Sequence, residues 1–146
     1  LKGKQPYRSG YQLRPEDKVQ IACVQTAKLM RIPIFHIPNG IDIPHPLTRL
    51  KYQKMGLEPG VPDLCCPMPT GAPHFKTGVW VECKAEYFDK ETGKKTGKGK
   101  ISPEQTLWHE RLRSWGYAVE SIWTVIEFEA VMFKYYPTFA KRFAHI

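Results

Sequence analysis

From Val79 to Glu86 apolar and polar residues alternate without a break. Val79, Val81, Cys83 and Ala85 fall on one side, and Trp80, Glu82, Lys84 and Glu86 on the other. A period of two is that of a β-strand, whose successive side chains point to opposite faces, so Gly78 to Tyr87 is predicted to be a strand with a small apolar face for packing. Upstream the period changes. Pro15 followed by Glu16 and Asp17 marks a helix start, with carboxylates at the positive end of the dipole. Val19, Cys23, Ala27 and Met30 then recur at three-to-four spacing and carry the helix to about Arg31. Pro33 stops it, Ile34 to Ile37 reads as a short strand, and Pro38-Asn39-Gly40 as a turn. A second helix opens at Pro46, runs through Leu47, Leu50 and Tyr52, and ends near Gly56. Gly60 and Pro62 force a turn before a short strand, Asp63 to Cys66, and Pro67 to Thr77 is a Pro/Gly-rich connection.

Asp89 to Lys100 holds no apolar residue and reads as a solvated, mobile loop. Its glycine and lysine spacing fails as a phosphate loop, since Gly99 follows Lys98 where Ser or Thr is needed. Ser102-Pro103-Glu104-Gln105 is a strong helix start, with a hydroxyl cap, proline at the first position and Gln three residues on. That helix reaches about Trp115, with Gln105, Trp108, Leu112 and Trp115 on one stripe, the last three expected in the core. A strand from Tyr117 to Trp123 and a helix from Val125 to Tyr135 follow, then an aromatic and basic tail, Tyr136 to Phe143. Its aromatics, with Tyr135, are open between core, dimer surface or both.

The order of elements predicts an α/β fold with a mixed central sheet flanked by helices in two or three layers. Residues 1–14 are expected to form a flexible basic arm, and 15–146 a single domain. No apolar run is long enough to span a membrane, and the polar, basic start lacks the core of a secretion signal. A first residue of Leu rather than Met leads to the expectation of a segment upstream. Cys23, Cys65, Cys66 and Cys83 form no Cys-x-x-Cys pair, which argues against a zinc ribbon or a secreted disulfide framework. Buried, reduced thiols and a cytoplasmic, non-secreted protein are expected. The net charge of +8 favours a polyanionic partner, with plain solubility as the competing account.

Candidate chemistry sits on the polar face of the central strand. Glu82 and Lys84 share that face about 7 Å apart, and Asp63 precedes Glu82 just after the Gly-x-Pro turn. Hydrolysing a phosphodiester at neutral pH needs an activated water and relief of phosphate charge, which Mg²⁺ or Mn²⁺ supplies from oxygen ligands. Asp63 and Glu82 offer carboxylates and the Cys83 carbonyl a third oxygen. Lys84 is placed to orient or deprotonate the attacking water, or to stabilise the phosphate. Gln105 stands at the top of its helix's buried face, where a capping-box role competes with a role in the site. Among the histidines, His109 reads as a surface residue against the alternative that, one turn after Gln105, it approaches the site, and His36 as a hydrogen-bonded core residue. Lys94, Lys95, Lys98 and Lys100 are candidates for gripping DNA phosphate, weighed evenly against a plain solvated loop.

Read together, Glu16-x-x-x-Gln20, His36-Ile37-Pro38-Asn39-Gly40, Arg49-Leu50-Lys51, Gly56, Gly60-Val61-Pro62-Asp63, Glu82-Cys83-Lys84, Ser102-Pro103-Glu104-Gln105 and Leu112 with Gly116-Tyr117 resemble a known pattern. It is that of the virus-type replication-repair nuclease (VRR-NUC) domain of the PD-(D/E)xK nucleases, over about residues 14–124. The resemblance implies a restriction-endonuclease-like core. It implies that Asp63, Glu82 and Lys84 form the catalytic triad, with Gln105 as an additional active-site residue and Glu16 looking toward the metal. Asn39, Arg49 and Lys51 fall on further signature positions, taken as DNA contacts. Short stand-alone members, often from phages, resemble homodimers that act on branched DNA, so a phage-encoded chain is expected to work in the bacterial cytoplasm. The expectation is an Mg²⁺- or Mn²⁺-dependent, structure-selective DNA endonuclease, a Holliday junction resolvase. The alternatives are a flap, nicking or restriction-like endonuclease and, from another class, a non-catalytic DNA-binding module.

Overall fold

A computed structural model describes residues 13–39 and 43–144, so most of the expected basic arm and Gly40 of the signature turn lie outside the described residues. The helices are α1 (Pro15–Leu29), α2 (Pro46–Lys54), α3 (Pro103–Ser114), α4 (Val125–Tyr135) and α5 (Pro137–Phe143). The strands are β1 (Phe35–His36), β2 (Leu64–Cys66), β3 (Val79–Cys83), β4 (Glu86–Phe88), β5 (Lys95–Lys98) and β6 (Ala118–Ile122). The central sheet has the order β1-β2-β3-β6. Its first two pairings are antiparallel and β3 runs parallel to β6, so it is mixed.

The alternation along β3 builds the layers. Val79, Val81 and Cys83 enter one core with Cys23 and Ala27 of α1 and Phe128, Val131, Met132 and Tyr135 of α4. The opposite face of β3 carries Glu82, whose carboxylate meets the α3 side chain of Gln105. Helices thus flank the sheet on both sides. Tyr136 and Ala140 are buried and Phe139 and Phe143 pack against the core, so the aromatic tail is the core helix α5.

Two expectations fail here. The strand predicted to run to Tyr87 leaves the sheet after Cys83, where the Lys84 N–H bonds the Ile122 carbonyl at the last register position of β6. The segment expected as a mobile loop is a ribbon, β4 paired antiparallel with β5. Asp89 closes its turn, Oδ1 accepting from the backbone N–H of Glu91 and Thr92. The ribbon region is tied to the body by Tyr87, which donates to the Glu16 carboxylate, and by Trp123, whose Nε1 donates to the Gly99 carbonyl at 2.7 Å and whose ring lies under Lys98. With both ribbon faces largely exposed, no hydrophobic alternation announced it.

Candidate active site

Asp63 is held by its backbone. Its carbonyl accepts the Ile37 N–H at 2.7 Å and lies 2.9 Å from His36 Nδ1, which is also 3.0 Å from Gln20 Nε2. His36 is therefore an exposed residue at the edge of the sheet that braces Asp63, rather than the core histidine expected. Gly60, just upstream, has φ +90°, and a Cβ there would sit 2.7 Å from the backbone carbonyl carbon and oxygen of Glu104. The turn before Asp63 and the start of α3 approach so closely that only glycine fits.

Pro62 has its own part. Continuing the register of Leu64 with Val81 by two residues sets Cys83 opposite Pro62, which has no N–H for the Cys83 carbonyl. The Cys83 N–H turns to Asp63, donating to Oδ2 at 2.8 Å. The N–H and C=O of one strand residue point to the same edge, so that carbonyl faces the Asp63 side without a ladder partner.

Glu82 is 2% exposed, and Gln105 Nε2 donates to its Oε1 at 2.6 Å. Gln105 Oε1 accepts from Lys84 Nζ at 3.0 Å and from the Ser102 N–H at 2.8 Å. Two donors on that oxygen and a carboxylate on the nitrogen fix the orientation of the amide. The cap and the site were posed as alternatives; one side chain does both, while Ser102 Oγ accepts the Gln105 N–H at 3.2 Å. Lys84 Nζ is also 3.5 Å from Glu82 Oε1. Burial and the neighbouring Glu82 carboxylate push Asp63 up to about 7, against the pull of the Cys83 N–H and the Lys84 cation.

The donor set suits a hard cation: two carboxylates, a carbonyl without a ladder partner, and Glu82 Oε2 buried with no hydrogen-bond partner. Among the described residues, no three His, Cys, Asp or Glu side chains gather as a ligand set. Glu16, expected to look toward the metal, accepts a hydrogen bond from Tyr87 of the ribbon. All four thiols are free and buried, and burial raises Cys65 to about 11 and Cys66 to about 12.

The other sequence candidates scatter. Asn39 lines a cleft of about 350 Å³ with Gly60, Asp63 and Gln105, and its Nδ2 is buried without a partner. Arg49 donates from Nε and Nη2 to the Ile43 carbonyl, and Lys51 is exposed on α2, a helix with no buried residue. On the ribbon Lys95 pairs with Glu86 at 2.9 Å and Lys98 lies 4.6 Å over the Trp123 ring, while Lys94 and Lys100 are exposed. On α3 His109 and Leu112 are buried and Gln105, one turn before His109, is half-buried; Trp115, expected in the core, is 59% exposed. His109, expected at the surface, is 4% exposed, with Nε2 3.9 Å from Glu82 Oε2. Its spacing of four from Gln105 was the signal that could have found it.

No family model matches the chain, and no curated protein matches it. Among solved structures it is similar to a VRR_NUC domain protein, with a TM-score of 0.59 and 20% identity over 86% of this chain and 91% of that one. The fold is shared across nearly the whole of both chains.

Proposed function

We propose that this chain is a virus-type replication-repair nuclease, a divalent-cation-dependent endonuclease that hydrolyses phosphodiesters in branched DNA, with a four-way junction as its substrate. The observation that carries the reading is the convergence of Asp63, Glu82, Lys84 and Gln105 at the end of β3. The shared fold, the motif order and the net charge of +8 support it.

Asp63, Glu82 and the Cys83 carbonyl would hold Mg²⁺ or Mn²⁺, which supplies charge neutralisation at the phosphate and a more acidic water. Gln105 holds Glu82 by Oε1, and Oε2 keeps a lone pair to face the cation. Lys84, 15% exposed and bonded to Gln105, is positioned to meet the attacking water or a phosphate oxygen. Lys94 and Lys100 extend positive charge along the ribbon that leaves the site, as a DNA backbone needs. A homodimer would set two such sites on opposing strands. Of the C-terminal aromatics, Tyr135 and Tyr136 are core, while Phe139 and Phe143 are half-buried and keep a face for such a partner.

The test is cleavage of labelled four-way junction, flap, single-stranded and linear duplex DNA with Mg²⁺ or Mn²⁺, beside Glu82→Ala. Paired junction cuts that disappear in the variant are expected. Flap or duplex cutting would keep the nuclease and change its substrate. Binding without cleavage on every substrate would leave a DNA-binding module.

A further inference from the structure

Two atoms at the floor of the site stand without partners, and they face each other. Glu82 Oε2 and His109 Nε2 are both buried and make no hydrogen bond, yet they are 3.9 Å apart. They are complementary in kind, since a carboxylate oxygen accepts and an imidazole nitrogen bearing hydrogen donates. A small rotation of either side chain closes the gap to hydrogen-bond length. Buried polar groups of native proteins are almost always paired, so the arrangement calls for that contact.

We propose that His109 is a positioning residue for Glu82, donating from Nε2 to Oε2 while Gln105 donates to Oε1. The two donors lie one helical turn apart on the buried face of α3, so the helix grips both oxygens of one carboxylate. Held at two points, the carboxylate cannot turn about its last torsion, and Oε2 keeps a lone pair for the cation. A third donor, Lys84 Nζ, approaches the Oε1 side. Partners behind a ligating carboxylate orient it and set its affinity, and their loss weakens metal affinity or activity by about ten- to a hundredfold. The proposal rests on the nuclease reading for its cation and on the geometry of Glu82 and His109 for the contact.

The experiment compares wild type with His109→Leu, which keeps bulk and loses the donor, and His109→Gln, which keeps an N–H near the position of Nε2. Mn²⁺ affinity is measured by calorimetry, junction affinity in Ca²⁺, and folding by thermal melts. His109→Leu is expected to weaken Mn²⁺ binding by about tenfold or more, with junction affinity unchanged, and His109→Gln to restore most of the loss. Wild-type Mn²⁺ affinity in His109→Leu overturns the proposal and spares the nuclease. Equal losses in both variants, with lowered melts, overturn it in favour of packing. A wild-type protein that binds no Mn²⁺ overturns the nuclease reading instead, and ¹⁵N imidazole spectra of the metal-free protein then decide the contact. An Nε2–H resonance of His109 that shifts in Glu82→Ala supports it, and one indifferent to that change defeats it.

Discussion

Helices α2 and α3 begin alike and end in different roles. Both open on proline, both are short, and both have basic residues in the last turn. Yet α3 buries His109 and Leu112 and puts Gln105 on Glu82, while α2 buries nothing and leaves Leu47 72% and Met55 69% exposed. Their caps account for part of this. Ser102 and Gln105 close a reciprocal box on α3, whereas His45 makes no side-chain cap bond on α2. The larger part is neighbours: Gly60 lets the turn before Asp63 touch the first residues of α3, and the far end of α3 is followed by β6. A start signal forms a helix; only packing puts its side chains into a site.

The sharpest way to break the comparison is Gln105. Gln105→Ala removes the hold on Glu82, the acceptor of Lys84 and half of the capping box. We expect junction cleavage to fall by about a hundredfold or more, with stability down by about 1 kcal/mol. Gln105→Glu keeps an acceptor for the Ser102 N–H but puts a carboxylate against Glu82, so cleavage is lost while the cap survives. Kinetics and thermal melts separate the two; a fully active Gln105→Ala would return the residue to capping alone.

Gly60→Ala attacks the same helix from outside. The positive φ and a methyl group against the Glu104 backbone are expected to cost about 1–3 kcal/mol and to loosen α3 over the site. A denaturant melt checks this, and an unaffected midpoint would mean that the turn and the helix move apart freely.

A third prediction uses pH. Because the Asp63 carboxyl is raised from 3.8 to about 7 by burial and Glu82, its neutral form is the one the fold favours. Its stabilising contribution is complete below the ordinary value and is lost as pH rises through about 7. Metal-free wild type should therefore lose a few degrees of melting temperature relative to Asp63→Asn between those values, and parallel profiles would refute the shift. The smallest effects belong to α2. Lys51→Ala should lower junction affinity by less than about tenfold and leave single-turnover cleavage intact, read by titration in Ca²⁺ and by quench-flow; a turnover defect would bring α2 into the site.

Much of the candidate site was legible because its chemistry is written in short-range patterns. Glu82 and Lys84 came from the period of two, Asp63 from the turn before it, and Gln105 from the box with Ser102. His109 is legible only in part: its spacing of four from Gln105 points to the site, but a stripe through Trp108 and Trp115 competes with it, and helical periodicity does not say which of two adjacent stripes meets the sheet. The contact of Arg49 with a backbone carbonyl six residues upstream is likewise absent from the local pattern. The C-terminal aromatics pattern equally well as core or surface until α4 turns at Tyr136 and folds α5 back onto it.

The sequence alone determined the elements of the central sheet, the face of β3 that bears the acidic and basic groups, and the start of α3, because each depends on residues within a turn or a strand of one another. Tertiary structure decided what those groups touch. Pro62 opposite Cys83, Gly60 against Glu104, Glu16 beneath Tyr87 and His109 behind Glu82 join residues from 21 to 71 positions apart. Contacts between elements follow from how layers pack and where strands end, and the chain's local patterning carries no record of either.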